Sequence, residues 1–295
     1  MTPYVSYFLS LICAILIFGT QPTFATAGHQ VFVSIQPQKY FVEQIGQGRV
    51  QVHVMVAPGA SPATYEPKPH QMIALSQAVL YFAIGVPFEK VWLAKISAAN
   101  PGMRIVPTDR DIAKHPMPDF DHLFGGDSAS HHQGQPDPHI WLSPPLVKIQ
   151  ARHVLTALCQ FDPEHTPVYE ANYKKFIQML DQLDAELREV FKDHQDLAFM
   201  VFHPSWGYFA QTYGLKQLPV EMEGKQPKPA QMRELIKYAR AHAVKIIFVQ
   251  PQFSTRSAQA IAEAINGQLV IADPLAYDWP GNLRQQALQI KAALR

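Results

Sequence analysis

Thirteen histidines stand out in this chain of 295 residues. Two of them, with one aspartate, sit where chemistry is expected. His203 directly follows the apolar run 197–202, and Asp273 directly follows the apolar run 269–272. His139 lies in Asp-Pro-His-Ile-Trp-Leu-Ser-Pro, between a polar loop and the next helical stretch. Imidazole nitrogens and a carboxylate oxygen are donors for zinc and neighbouring divalent metals. Their separation along the chain is no obstacle, because residues from different strand ends converge in a fold. Taken singly, each is also a common structural residue: a lone His is often just hydrogen-bonded, and Asp before Pro often caps a helix. The segment 114–137 adds weight. It carries His115, His122, His131 and His132 with Asp119, Asp121, Asp127 and Asp137 among Gly, Ser and Pro. His-rich tracts of this kind favour metal capture. Neutral imidazole is the binding form, so capture is expected to weaken below about pH 6. Two cysteines exclude a thiolate site of three or four Cys and a disulfide scaffold.

The elements that must position these residues alternate in type. Residues 31–35, 50–56 and 79–85 read as strands; 69–77 and 88–99 read as helices. Over 167–194, Tyr169, Tyr173, Phe176, Leu180, Leu183, Leu187 and Phe191 trace one helical stripe. Such a helix is long enough to cross a small domain. Strands then return at 197–202, 244–249 and 269–272, with helices at 230–242, 257–266 and from 282 to the end. This alternation predicts an α/β protein with parallel sheets. The expected organisation is two α/β lobes, 28–165 with a His-rich loop at 115–135 and 195–295, joined by one long rigid helix at 166–194. No sequence repeat relates the two halves. In such sheets ligands bind outside the carboxyl ends of the strands, which is where His203 and Asp273 fall.

Composition bounds the function. The chain is 47% hydrophobic, with 25 basic residues against 24 acidic ones and a formal charge of +1. That balance supports a sizeable core and argues against a nucleic-acid binder or a polybasic membrane-surface protein. Residues 8–19 are apolar but too short to span a bilayer as a plain helix, and Ala25-Thr26-Ala27 follows as a small-x-small cleavage pattern. Residues 1–27 therefore read as a secretory signal peptide, with an N-terminal membrane anchor as the competing reading. Removal of the segment leaves Cys159 as the only cysteine and predicts a soluble exported protein.

At the candidate ligands the chain resembles a known family: the metal-binding periplasmic solute-binding proteins of ABC uptake transporters, of the ZnuA/TroA type. The resemblance begins at Val33-Ser34-Ile35-Gln36-Pro37. It runs through Gly59-Ala60-Ser61-Pro62 and Tyr65-Glu66-Pro67, then Asp137-Pro138-His139-Ile140-Trp141-Leu142 and His203-Pro204. It ends in Pro251-Gln252-Phe253 and Asp273-Pro274-Leu275. It implies a metal held in a cleft between two α/β lobes, with His139, His203 and Asp273 as its ligands. The cargo implied is Zn²⁺ rather than Mn²⁺, given the His-rich insertion. An ABC transporter permease is the implied partner, and a monomer is the default state. One position departs from the family pattern: Ala63 stands where the family carries its first histidine ligand. Water, His131 or His132, or His70 or Glu66 could complete the site.

Two other functions compete. A receptor for a metal–chelate complex, or a metal chaperone, would tolerate Ala63, with Tyr65, Trp141, Trp206, Tyr208 and Trp279 as an aromatic platform rather than cleft wall. A zinc hydrolase would use two His, one carboxylate and an open position. It also needs a base at the metal, for which only Glu66 or Glu223 offers itself, and the chain has no His-Glu-x-x-His and no nucleophile elbow. The expected protein is not an enzyme.

Overall fold

A computed structural model describes residues 28–117, 135–194, 196–221 and 225–293. The expected signal peptide and most of the His-rich loop lie outside the described residues. The first lobe contains β1 (His29–Val33), α1 (Gln36–Gly46), β2 (Val50–Val54), α2 (Pro69–Leu75), β3 (Leu80–Ala83), α3 (Pro87–Ala99), β4 (Arg104–Pro107) and α4 (Pro144–Phe161). A long helix, α5 (Thr166–Phe191), follows. The second lobe contains β5 (Ala198–Val201), α6 (Gly207–Thr212), β6 (Lys216–Pro219), α7 (Pro229–Ala241), β7 (Ile246–Val249), α8 (Arg256–Ala264), β8 (Gln268–Ile271) and α9 (Trp279–Ala293).

Each lobe is built on a four-stranded parallel sheet. The strand orders are β2-β1-β3-β4 and β6-β5-β7-β8. The two orders are the same, so the halves repeat in topology although their sequences do not. In each sheet the chain leaves the first strand in one direction and later crosses to its other side. The crevice for a ligand therefore opens at the carboxyl ends between β1 and β3 and between β5 and β7. β4 and β6 are short runs ending in proline (Arg-Ile-Val-Pro and Lys-Gln-Leu-Pro). Neither has the apolar length that marks β3 or β7, which is why sequence patterning passes over them.

The rod α5 has 26 residues, so it spans roughly 40 Å at 1.5 Å per residue. Its buried face holds Tyr169, Phe176, Leu180, Leu183, Leu187 and Phe191, as the stripe predicts. One position differs: Asn172, not Tyr173, completes that face. Its Nδ2 donates to the Ile45 carbonyl at 3.0 Å, and its Oδ1 accepts from Gln47 Nε2 at 3.0 Å. A polar residue is thus buried because it satisfies the C-terminal end of α1. α5 packs on α1, α4 and the final helix α9, where Arg284 Nε reaches Glu186 at 2.7 Å. The main core is continuous from the first sheet through α5 to Trp206, Phe209 and Trp279. This core joins the two lobes, while a second, separate cluster around Met200, Val220, Leu235, Ile247 and Ile261 fills the space between the second sheet, α7 and α8. Leu183 is fully buried in the main core. Leu183→Ala is expected to lower the unfolding free energy in urea by about 2–5 kcal/mol. Val168→Ala on the exposed side should stay within about 0.5 kcal/mol of the parent.

Candidate metal centre

His203 is positioned by the end of β5. Phe202 N–H donates to the Phe248 carbonyl at 2.7 Å, the last rung between β5 and β7. The next residue, His203, is clamped by the side chain of Gln250. Its N–H donates to Gln250 Oε1 at 3.1 Å, and Gln250 Nε2 donates to its carbonyl at 2.8 Å. Phe253 stacks on the imidazole at 4.5 Å between centroids. His203 Nδ1 faces Glu221 Oε1 at 3.1 Å. With Nδ1–H donated to that carboxylate, Nε2 is the nitrogen left to face a metal. Burial pushes the His203 imidazole below its usual pKa, and the neighbouring His139 pushes the same way; Glu221 opposes them. The net effect favours the neutral, metal-binding form.

His139 is positioned by an aspartate two residues earlier. Asp137 Oδ1 accepts both the His139 N–H at 2.9 Å and its Nδ1–H at 2.6 Å. This is an Asx turn that also orients the ring. Asp137 and His139 are both buried. The two imidazoles lie 5.2 Å apart, centroid to centroid, inclined at 72°. Each is oriented by a buried carboxylate at Nδ1, the arrangement that presets imidazole ligands in metal sites.

Asp273 follows β8 and is also held. Its Oδ1 accepts from Gln252 Nε2 at 2.8 Å and from Leu275 N–H at 3.0 Å. It lines a cavity of about 240 Å³ between the lobes, with Gln36, Ala57 and Gly59 from one side and Gln252 and Tyr277 from the other. Gln252 Oε1 is buried there without a hydrogen-bond partner among the described residues, so a polar ligand or water would satisfy it. The segments that carry His139 and Asp273 are tied together. Trp141 Nε1 donates to the Pro274 carbonyl at 2.7 Å, and Trp279 Nε1 donates to the Trp141 carbonyl at 2.8 Å.

The structure thus brings His139 and His203 together. Asp273 is tied to the His139 segment through the Trp141–Pro274 hydrogen bond, and neither histidine lines its cavity. Among the described residues no three His, Cys, Asp or Glu side chains are grouped closely enough to hold one ion. Ala63 is exposed on a turn; Glu66, just beyond that turn, and His70, in the first turn of α2, are exposed as well; His131, His132 and Glu223 lie outside the described residues. Trp141, Trp206 and Trp279 are buried, as are Tyr65 and Tyr208, which makes them wall and core rather than an open platform. Sequence reasoning missed Glu221 and Gln250. Asp137 figures in the sequence reading as part of the loop and of the Asp137-Pro138-His139 motif but with no role of its own, although its place two residues before His139 is the sequence signature of an Asx turn.

Comparison with known proteins agrees with this fold. The chain is 26% identical over 249 residues to the "High-affinity zinc uptake system protein ZnuA" of Bacillus subtilis, covering 83% of this chain and 78% of that one. A solved "Crystal structure of ZnuA" superposes with a TM-score of 0.84 at 40% identity, covering 91% of this chain and all of that one. A ZnuA deletion mutant solved with zinc bound gives a TM-score of 0.83 at 40% identity, covering 90% of this chain and 98% of that one. The family model described as "Zinc-uptake complex component A periplasmic" matches residues 31–293, and the chain belongs to that family.

Proposed function

We propose that the chain is the exported solute-binding component of an ABC transporter. It captures a divalent metal ion, Zn²⁺ before Mn²⁺, and delivers it to a membrane permease. The observation that carries this reading is the pair His139 and His203, converging with their Nδ1 atoms committed to Asp137 and Glu221. Two imidazoles suit zinc better than manganese, which prefers an all-oxygen shell. Asp273 is the third donor, exchanging its hydrogen bond from Gln252 for the metal. Three protein ligands leave one position open to water or to a further side chain. The zinc-uptake names of the relatives support the same cargo. Binding and release need no catalytic base, and nothing in the site favours hydrolysis over capture. No helix among the described residues is long and apolar enough to cross a membrane, in keeping with a binding component that works beside a separate permease. Export through residues 1–27, a periplasmic location and a monomeric state belong to the same proposal.

Calorimetric titration of the chelator-stripped protein with Zn²⁺ tests it. One ion per chain is expected in the cleft, and this binding should persist when residues 118–134 are shortened. Weak binding that disappears with that segment would show that the cleft does not take free zinc, and a receptor for a zinc chelate would replace this reading. Protons compete for Nε2, so affinity falls on acidification. Because the His203 pKa is lowered, its share of that fall begins below the usual imidazole range near 6.5.

A further inference from the structure

The two legs of the His-rich segment meet in a short stem. Met117 N–H donates to the Gln135 carbonyl at 3.0 Å, Pro116 and Pro136 face each other in an antiparallel bridge, and Asp137 N–H donates to the His115 carbonyl at 2.7 Å. A side chain from the other lobe closes this stem. The hydroxyl of Tyr208, on α6, accepts the His115 N–H at 3.1 Å and donates to the Asp137 carbonyl at 3.1 Å. The Tyr208 ring lies 5.5 Å from the His115 imidazole, and Tyr208 is buried. Burial and the nearby Asp137 push its pKa up to about 12, so the phenol stays protonated and able to donate. Gly207 lets α6 approach: a Cβ there would lie 3.0 Å from Asp137 Oδ2. At the far end of the same segment, Ser143 Oγ meets Thr212 Oγ1 at 2.9 Å, and Thr212 is itself on α6. The stretch 137–143, with His139 inside it, is therefore held at both ends by one short helix of the opposite lobe.

We infer that Tyr208 is a positioning residue for metal capture: by bridging both legs of the stem it fixes Asp137, whose carboxylate in turn sets the orientation and tautomer of His139. This inference rests on the metal-binding reading above. The phenol touches neither His139 nor any metal; it acts through Asp137. Its loss leaves the ring packed but removes the rung that ties Asp137 across the lobes, so the carboxylate samples orientations that no longer meet both His139 N–H groups.

The test is Tyr208→Phe in the mature chain, with zinc affinity read by competition against a fluorescent chelator. ¹⁵N chemical shifts of the metal-free protein report the His139 tautomer. Affinity is expected to fall about tenfold, toward the low end of outer-shell effects. His139 should change from a single Nδ1–H tautomer to a mixture. In an Asp137→Asn background the same substitution should change affinity by less than about twofold, because the route through Asp137 is already cut. Unchanged affinity and tautomer in Tyr208→Phe would overturn the inference. So would a drop in affinity with the tautomer unmoved and the same factor in both backgrounds, which is the mark of a merely structural role. Wild-type zinc affinity in His139→Ala would instead sink the metal-binding reading, while the metal-free tautomer still decides the positioning claim.

Discussion

His139→Ala is expected to abolish zinc retention in the cleft, weakening binding by more than about 100-fold, because changes in the partners of a ligand alone cost 10–100-fold. His139 is buried, and its ring is one of two that meet at 5.2 Å. On the proposed ligand set its removal leaves His203 and Asp273, and two protein donors are too few for a tight tetrahedral zinc site. The substitution also strips the buried Asp137 carboxylate of its Nδ1–H partner, so thermal unfolding must be followed beside the titration. His242→Ala serves as the control. That imidazole is exposed at the C-terminal end of α7, and since helices run antiparallel to the strands, this end is remote from the strand carboxyl ends. It should bind zinc like the parent. Equal affinity in His139→Ala and the parent would place the metal elsewhere, with the His-rich segment as the first place to look.

Much of the fold is readable in the sequence itself. The apolar runs at β1, β3, β5 and β7 mark the sheets, and the strand-end rule points directly at His203 and Asp273. The stripe on α5 is legible because Tyr169, Phe176, Leu180 and Leu187 recur at helical spacing. What the pattern does not contain is pairing. Glu221 meets His203 only because β6 lies beside β5 in the sheet, and a glutamate 18 residues away carries no local sign of that. Gln250 clamps His203 across β7 for the same reason, from 47 residues away. Asn172 took the place expected for Tyr173 because the α1 terminus needed a hydrogen-bonding partner, and periodicity counts only apolarity. Which donors are present can thus be read from residue types, whereas their orienting partners are set by tertiary neighbours.

Ala63→His is expected to tighten zinc binding by at least roughly tenfold and to slow its release, since a fourth protein donor closes a site that three leave open. The turn that would carry it is held in place. Position 63 lies in a turn held by Thr64 N–H to the Ser61 carbonyl at 3.2 Å and by Phe88 N–H to the Pro62 carbonyl at 3.1 Å. Tyr65, just beyond, is buried against Phe88 and donates its hydroxyl to Gln71 Oε1 at 2.7 Å. Gln71 Nε2 in turn donates to the Met55 carbonyl at 2.6 Å, so the turn is anchored to the end of β2. Ala63 itself is exposed, and an imidazole there displaces no core atom. A tighter, slower-releasing variant would establish that the parent keeps an open coordination position, a property that favours handing metal on over storing it. An unchanged affinity would mean that another group already fills that position or that residue 63 does not reach the ion. Repeating the substitution with residues 118–134 shortened separates these cases. A gain that appears only in the shortened chain identifies a donor from the His-rich segment as the fourth ligand of the parent; a gain in both identifies water.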